Sequence, residues 1–424
     1  DHFNIHYHVR HTALPKPGDE RQLKRLAARI MAQHLDRSKP LWEIWVVEGL
    51  DGGERLAMIS KVHHCMVDGV SSVDLLNVLL TPNPIHAFEP APTYIPRPAP
   101  TDFDLLWEAT EQVVRLPLDI GKNLTAIVGQ ARDPRSDVRA RLRAVRDLLR
   151  SGLGASNTPI NQPVGPHRRF DWLAMSLEQI KVVKNRLGGT VNDVVLATVA
   201  GALRRFLERR QVNCELIDFR VMAPVSVRSP DESGTLGNRV SAWIVPMPLG
   251  ERNARRRLEM IRETTAHLKE TKQALGAEVL AQVGEWTPTT ILSLASRMAT
   301  RALPFNLVVT NVPGPQVPLY LLGARMRDNY GFVPLIDGLC LGIVLFSYAG
   351  LLCWGFTCDW DLLPDLHDFV LDIERSFKDL QAAGAAVEIR EEGRAAHAKG
   401  AKSNRTRAKK DRAGANGAAA HLPR

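Results

Sequence analysis

Residues 42–69 read WEIWVVEGLDGGERLAMISKVHHCMVDG, and this stretch decides how the rest of the chain is read. Trp42–Leu50 and residues 55–64 are two apolar runs joined by Asp51-Gly52-Gly53, the composition of a β-hairpin turn. Just upstream, Leu23, Leu26, Ala27 and Ile30 recur at helical spacing across residues 20–33. Just downstream, Asp68-Gly69 leads into residues 70–80, where Val73, Leu76 and Leu80 mark one helix face. The predicted order is helix, strand, strand, loop, helix, with His63 and His64 at the end of the second strand.

Adjacent residues on a strand face opposite ways, so only one of the two imidazoles can enter a given cleft. That argues against joint metal chelation. No third His, Asp or Glu stands nearby at a ligand spacing, so no metal site is expected. A single imidazole suits proton transfer, because its unperturbed pKa of about 6.5 lets it take or return a proton near neutrality. The bland alternative is a satisfied core histidine beside an Asp-Gly turn that caps a helix, with Asp68 a plain helix-start residue.

The remaining chain of 424 residues carries fewer decisive signals. Residues 81–101 are proline-rich and form an expected connector, and residues 102–153 are helical in pattern. After a Gly/Pro/Ser/Asn-rich break at 152–166, helices are expected over 176–187 and 191–210. Strands are expected over 219–224, 239–246 and 307–311. Residues 338–358 run 21 positions without a formal charge, long enough to cross a bilayer. Within them, Ser347-Tyr348-Ala349-Gly350 is a turn candidate between strand-length flanks 341–346 and 351–356, so a buried hairpin is the better reading. The expected division is an N-terminal half over 1–158, a C-terminal half over 159–387 and a disordered tail over 388–424.

Charge and cysteine usage narrow the function classes. Apolar content of 45% and charged content of 24% fit a globular chain. The net charge of +9 sits in the tail: residues 394–424 hold nine Lys/Arg against one Asp, leaving 46 basic and 45 acidic residues elsewhere. A near-neutral body without a base-reading module makes nucleic acid an unneeded partner. The five cysteines (Cys65, Cys214, Cys340, Cys353, Cys358) form no CxxC pair, which fits a reducing cytoplasm and no disulfide framework. No basic-then-apolar leader is visible.

The string His63-His64-Cys65-Met66-Val67-Asp68-Gly69 resembles the HHxxxDG signature of the CoA-dependent acyltransferase superfamily. That superfamily includes chloramphenicol acetyltransferases, carnitine acyltransferases and nonribosomal-peptide condensation domains. Further segments narrow the resemblance to bacterial wax ester synthase/diacylglycerol acyltransferases: Pro40-Leu41-Trp42 before the first strand, Asn192-Asp193 opening a helix, and Asn311-Val312-Pro313-Gly314-Pro315 closing a strand. It runs from about Phe3 to Leu380. Relative to that family, some tens of residues are missing before Asp1, so a trimmed or misplaced start is expected.

The resemblance implies an α/β fold of two chloramphenicol-acetyltransferase-like subdomains, with mixed sheets flanked by helices and a tunnel between the halves. It implies esterification of diacylglycerol or a long-chain alcohol by long-chain acyl-CoA, giving triacylglycerol or wax ester. Acyl-CoA is then a substrate, and no cofactor is expected. His64 is the implied general base, His63 its neighbour, Asp68 a loop-structuring residue, and Gly69 the tight turn. Cys65 is read as a small packing residue. Asn192 and Asp193 either position the histidine loop or the acyl carbonyl, or simply cap the helix. Asn311, Pro313 and Gly314 either line the tunnel or form a structural turn. The lipid substrates imply a cytoplasmic protein held peripherally at the inner membrane face or a lipid droplet.

Two alternatives stand beside this reading. One keeps the chemistry and changes the acceptor, as in a condensation-type enzyme acting on carrier-bound acyl groups. The other is a catalytically weak lipid-binding relative that keeps the tunnel.

Overall fold

The computed structural model describes residues 3–63, 66, 76, 79–85, 101, 107, 155–226, 240–270 and 303–387. The connector and helical stretch expected over 81–153 lie largely outside these residues, and the basic tail lies wholly outside them.

The N-terminal elements are α1 (Ile5–His8), β1 (Val9–Ala13), α2 (Glu20–Ala32), β2 (Trp42–Leu50) and β3 (Arg55–Val62). Asp19 and Gln22 close a capping box at the start of α2, satisfying orphan backbone donors there. β2 and β3 pair antiparallel as expected, and β1 adds to β2 in parallel, giving the sheet order β1-β2-β3. One face of this sheet packs on α2 through Leu23, Leu26, Val47, Ala57 and Ile59.

The second half begins with β4 (Arg168–Ser176), α3 (Leu177–Leu187), α4 (Val191–Arg209), β5 (Arg220–Ser226) and β6 (Val240–Pro246). There follow α5 (Ala254–Glu270), β7 (Leu307–Pro313), β8 (Tyr320–Leu321), β9 (Ala324–Arg325), β10 (Leu341–Tyr348) and β11 (Leu351–Asp359). A last helix, α6, covers 366–387. Six strands form a mixed sheet in the order β4-β11-β10-β7-β5-β6. β4, β10, β7 and β5 run one way, and β11 and β6 run back.

The uncharged stretch 338–358 is therefore a hairpin in the middle of the sheet. Its strands are longer than the sequence reading: Ser347 and Tyr348 belong to β10, and the turn is only Ala349-Gly350. Both turn residues have positive φ, 45° and 84°, the backbone that matches the twist of a two-residue hairpin. Among the described residues no helix is long and apolar enough to cross a membrane.

Both faces of the hairpin are covered. Ile343, Leu345, Leu352, Trp354 and Phe356 face the helical layer, whose centre is α4, buried on nearly all sides. Phe356 meets Phe369 of α6, which in turn meets Phe206 of α4, each edge to face. The opposite face is crossed by residues 326–336. Val333 packs over Gly342, and a methyl group on Gly355 would overlap the carbonyl of Gly331. The strap lies this close because neither strand residue has a side chain.

The two halves meet where α2 lies along β4. Lys24 of α2 reaches Asp171 at 2.5 Å and stacks over Trp172, which also packs into the α2 cluster. His367 of α6 contacts the other oxygen of Asp171 at 2.8 Å.

Gly355→Ala forces the strap off the sheet. We expect a loss of about 1–3 kcal/mol, read as a lowered midpoint in denaturant unfolding.

Candidate active site

β3 ends at Val62, paired with Trp42, and the backbone N–H of His63 then donates to the carbonyl of Leu41 at 2.9 Å. The Pro40-Leu41-Trp42 segment thus pins the strand end that leads into the two histidines. Trp42 is fixed in turn: its ring stacks on His8 at 4.6 Å, and its carbonyl accepts from His8 Nδ1 at 2.8 Å. Phe3 stacks on His8 at 5.1 Å and lies 6.3 Å from the Trp42 ring.

Lys61, two residues before His63, is buried and donates its ammonium to the carbonyls of Ile30 (2.9 Å) and Gln33 at the C-terminus of α2. A cation at that helix end meets the negative pole of the backbone dipoles. Burial lowers its pKa, while Glu43, directly opposite in register, acts to raise it and Arg10 acts to lower it. Glu43 accepts from Arg10 at 3.2 Å and from the Trp45 indole at 3.1 Å, so the buried carboxylate is paired.

Lys61 therefore fixes the end of β3 against α2. His63 has the same strand parity, and it lines an open cavity of about 320 Å³ with His34, Leu35 and Arg37, the segment just beyond α2. His64, Cys65, Asp68 and Gly69 lie outside the described residues.

Beyond Met66, whose N–H donates to the His63 carbonyl at 2.9 Å, the described residues resume at Leu76, Leu79 and Leu80, in a different place. These leucines pack on Val312, Phe346 and Tyr348 of the six-stranded sheet and on Leu319 just before β8. Thr81 then forms a bridge with Tyr320, with hydrogen bonds of 3.0 and 2.8 Å. The segment bearing the HHxxxDG string is thus anchored to the small sheet at one end and to the large sheet at the other.

The anchor on the large sheet is the edge where β4, β10, β7 and β5 end, and the other expected site residues gather there. Asn311 and Pro313 sit in the last turn of register between β7 and β10, opposite Leu345 and Ser347. Gly314 donates its N–H to Ser347 Oγ at 3.1 Å, and a methyl group there would strike the Phe346 ring. Gln316 binds Ser347 Oγ at 3.1 Å and the Gly314 carbonyl at 3.0 Å, while its amide oxygen accepts from Gly350. Asn311–Gly314 is therefore tied to the tip of the central hairpin. Asn311 shares the strand face of Val309, toward the helical layer, whereas Val312 faces the docked leucines.

Asn192 and Asp193 begin α4 at the same edge. The polarity follows from the far end of α4, where Arg204 donates to the carbonyls of Leu249 and Gly250, just past β6. Asn192 is half-buried. Asp193 is buried and spends its carboxylate on the fold: Oδ2 accepts from Thr190 N–H (2.7 Å) and Thr190 Oγ1 (2.8 Å), and Oδ1 from Thr265 of α5 (2.7 Å). It completes a capping box and clamps α4 to α5.

The cysteines Cys214, Cys340, Cys353 and Cys358 are free thiols, each buried and each with its pKa raised by burial, Cys353 to about 11. None carries the thiolate character of a nucleophile.

Sequence reading missed Lys61, His8 and Gln316. Lys61 was open to it, because a lysine inside a half-buried strand needs a partner, and the C-terminus of the preceding helix is near. His8 and Gln316 act through contacts 34 and 31 residues away, to which no local pattern points.

The wax ester synthase/diacylglycerol acyltransferase catalytic-domain family matches residues 1–195, and its C-terminal-domain family matches residues 236–381. A probable diacylglycerol O-acyltransferase, tgs2, of Mycobacterium tuberculosis is 35% identical over 392 residues, 90% of this chain and 83% of the relative. A second putative diacylglycerol O-acyltransferase from that species is 33% identical over 399 residues, 90% of this chain and 75% of the relative. Among solved structures, the wax ester synthase/diacylglycerol acyltransferase of Marinobacter aquaeolei VT8 superposes with a TM-score of 0.65. It shares 26% identity, and the match covers 91% of this chain and 82% of that one.

Asp193→Ala removes the N-cap pairing and the Thr265 contact together. We expect a stability loss of about 1–3 kcal/mol, with a double-mutant cycle against Thr190→Ala showing clear coupling.

Proposed function

Because this chain belongs to the wax ester synthase/diacylglycerol acyltransferase family, we propose that it transfers a long-chain acyl group from acyl-CoA to the hydroxyl of diacylglycerol or a long-chain alcohol. The single observation that carries the site assignment is the double anchoring of the HHxxxDG segment. It leaves the small sheet at His63 and reaches the large sheet at Leu76, beside the edge that holds Asn192, Asn311, Pro313 and Gly314. In this proposal the two substrates meet in a tunnel between the halves, at that junction.

His64 is the proposed general base. His63 lines the α2-side cavity with His34, Leu35 and Arg37, which leaves His64, the second histidine of the HHxxxDG string, for the base role in this proposal. His64 takes the proton of the acceptor hydroxyl as the oxygen attacks the thioester carbonyl. The tetrahedral adduct then collapses, the C–S bond breaks, and the proton passes to the departing CoA thiolate. Base assistance of this kind contributes about 10²–10⁴-fold in rate, and holding both substrates at one junction removes the entropic penalty of their encounter. Asp68 and Gly69 shape the loop, Asn192 stands nearest the role of a substrate-side group, and Asp193 supports α4. No resident cofactor is invoked, since acyl-CoA is consumed. Both lipid substrates place the protein peripherally at a membrane or droplet surface.

Purified protein incubated with palmitoyl-CoA and a panel of diacylglycerols and long-chain alcohols is expected to yield the corresponding esters. Absence of ester with every acceptor would remove the proposal. With the preferred acceptor, His64→Ala is expected to lower kcat at least about 100-fold with its circular dichroism unchanged, while His63→Ala keeps most of the activity. Full activity in His64→Ala would overturn the base assignment.

Transfer is direct in this mechanism. Cys65→Ala is therefore expected to stay active, and mass spectrometry after quenching with labelled acyl-CoA is expected to find no acyl group on the protein. A stoichiometric adduct at Cys65 would demand a covalent route.

A further inference from the structure

β8 and β9 form a short antiparallel hairpin, Tyr320 opposite Arg325 and Leu321 opposite Ala324. Its turn is Leu322-Gly323, with φ of 52° and 85°. Two-residue turns of this kind favour Asn, Asp or Gly at the first position, because a bulky side chain is rarely tolerated in the left-handed region. Here a leucine occupies it and is 75% exposed. Neither local conformation nor burial explains the residue.

A second large apolar residue stands beside it. Ile85 is 84% exposed and follows Pro84, whose carbonyl oxygen lies 3.6 Å from the position a Cβ on Gly323 would take. The Thr81–Tyr320 bridge holds the two segments together. The base of this projection is rigid: Leu319, Leu321 and Met326 pack with Leu80 and Tyr348, whose hydroxyl accepts from Leu319 N–H (2.8 Å) and donates to the Met326 carbonyl (3.0 Å). Behind the tip, Arg325 and Arg327 are exposed.

We propose that this projection is the element by which the protein enters a lipid surface. Leu322 and Ile85 insert at the boundary of headgroups and acyl chains, and Arg325 and Arg327 engage anionic headgroups above them. The apolar tip and the basic collar match the two layers of an anionic leaflet, which a second protein chain would not present in that order. The location fits, since Leu80 and Tyr348 at its base belong to the cluster that receives the helix following the His63-His64 segment. The inference rests on the reading that the enzyme works at a lipid surface, and it assigns the surface that makes the contact.

The test is flotation of the full chain with phosphatidylcholine/phosphatidylglycerol vesicles at low salt and at about 1 M salt, where the Debye length falls to about 3 Å and the basic tail is screened. Wild-type protein is expected to float at both. The Ile85→Asp/Leu322→Asp double variant is expected to partition at least about tenfold less at high salt, with unchanged circular dichroism and unchanged turnover of detergent-dispersed substrate. Leu322→Trp is expected to gain fluorescence quenched by chain-brominated lipid beyond the wild-type background. Equal flotation of wild type and double variant overturns the projection and leaves the lipid-surface reading standing. No flotation of wild type at either salt overturns both. A change of oligomeric state in the double variant with flotation intact assigns the patch to a second copy instead, and also overturns the proposal.

Discussion

The structure depends on covering an uncharged hairpin on both faces. Leu341–Asp359 lies at the centre of the six-stranded sheet, and its backbone polar groups are paired with β7 on one side and β4 on the other. Its side chains require an apolar layer on each face, because exposed area of this size would cost about 25 cal/mol per Å². α4 answers on one face with a helix that is buried on nearly all sides. The strap 326–336 answers on the other, and it can do so only because Gly342 and Gly355 leave room for it.

The same hairpin organises the candidate site through its tip. Ser347, Ala349 and Gly350 bind Gly314, Pro315 and Gln316, so the exit of β7 is set by the turn of β10–β11. Phe346 and Tyr348 then offer the apolar surface on which Leu76, Leu79 and Leu80 settle. A packing requirement in the core thereby fixes where the loop of the proposed base must end. At the other end of that loop, Lys61 and the Leu41 carbonyl fix where it must begin.

Charge is used sparingly, and inside the fold it is compensated. Asp171 occupies an inward position of β4 beside Leu173 and Met175, yet it meets Lys24 and His367 and joins the two halves to α6. Lys61, Glu43 and Asp193 follow the same rule: each is buried, and each is hydrogen-bonded to a residue far away in sequence, Lys61 to Ile30, Glu43 to Arg10 and Asp193 to Thr265. The Arg205–Asp379 pair between α4 and α6 lies at the surface and contributes little beyond alignment.

By itself the sequence determined the elements whose signal is local. The β2–β3 hairpin, α2, α4, the central hairpin and the strand-end position of His63 all follow from periodicity and turn residues within a dozen positions, and the family follows from the motifs set on them. β1 and β4 escaped that reading. Val9–Ala13 is short and half polar, and β4 carries Asp171 where a core residue is expected, a charge tolerated only because Lys24 and His367 arrive from other elements. Only the tertiary structure decided that α4 and the exit of β7 share one edge, that His63 stands on the α2 side, and that Asp193 serves the fold. The physical reason is that a side chain's partner depends on which strands pair and in which direction. That choice is made by burial of whole faces, over separations that local pattern does not encode.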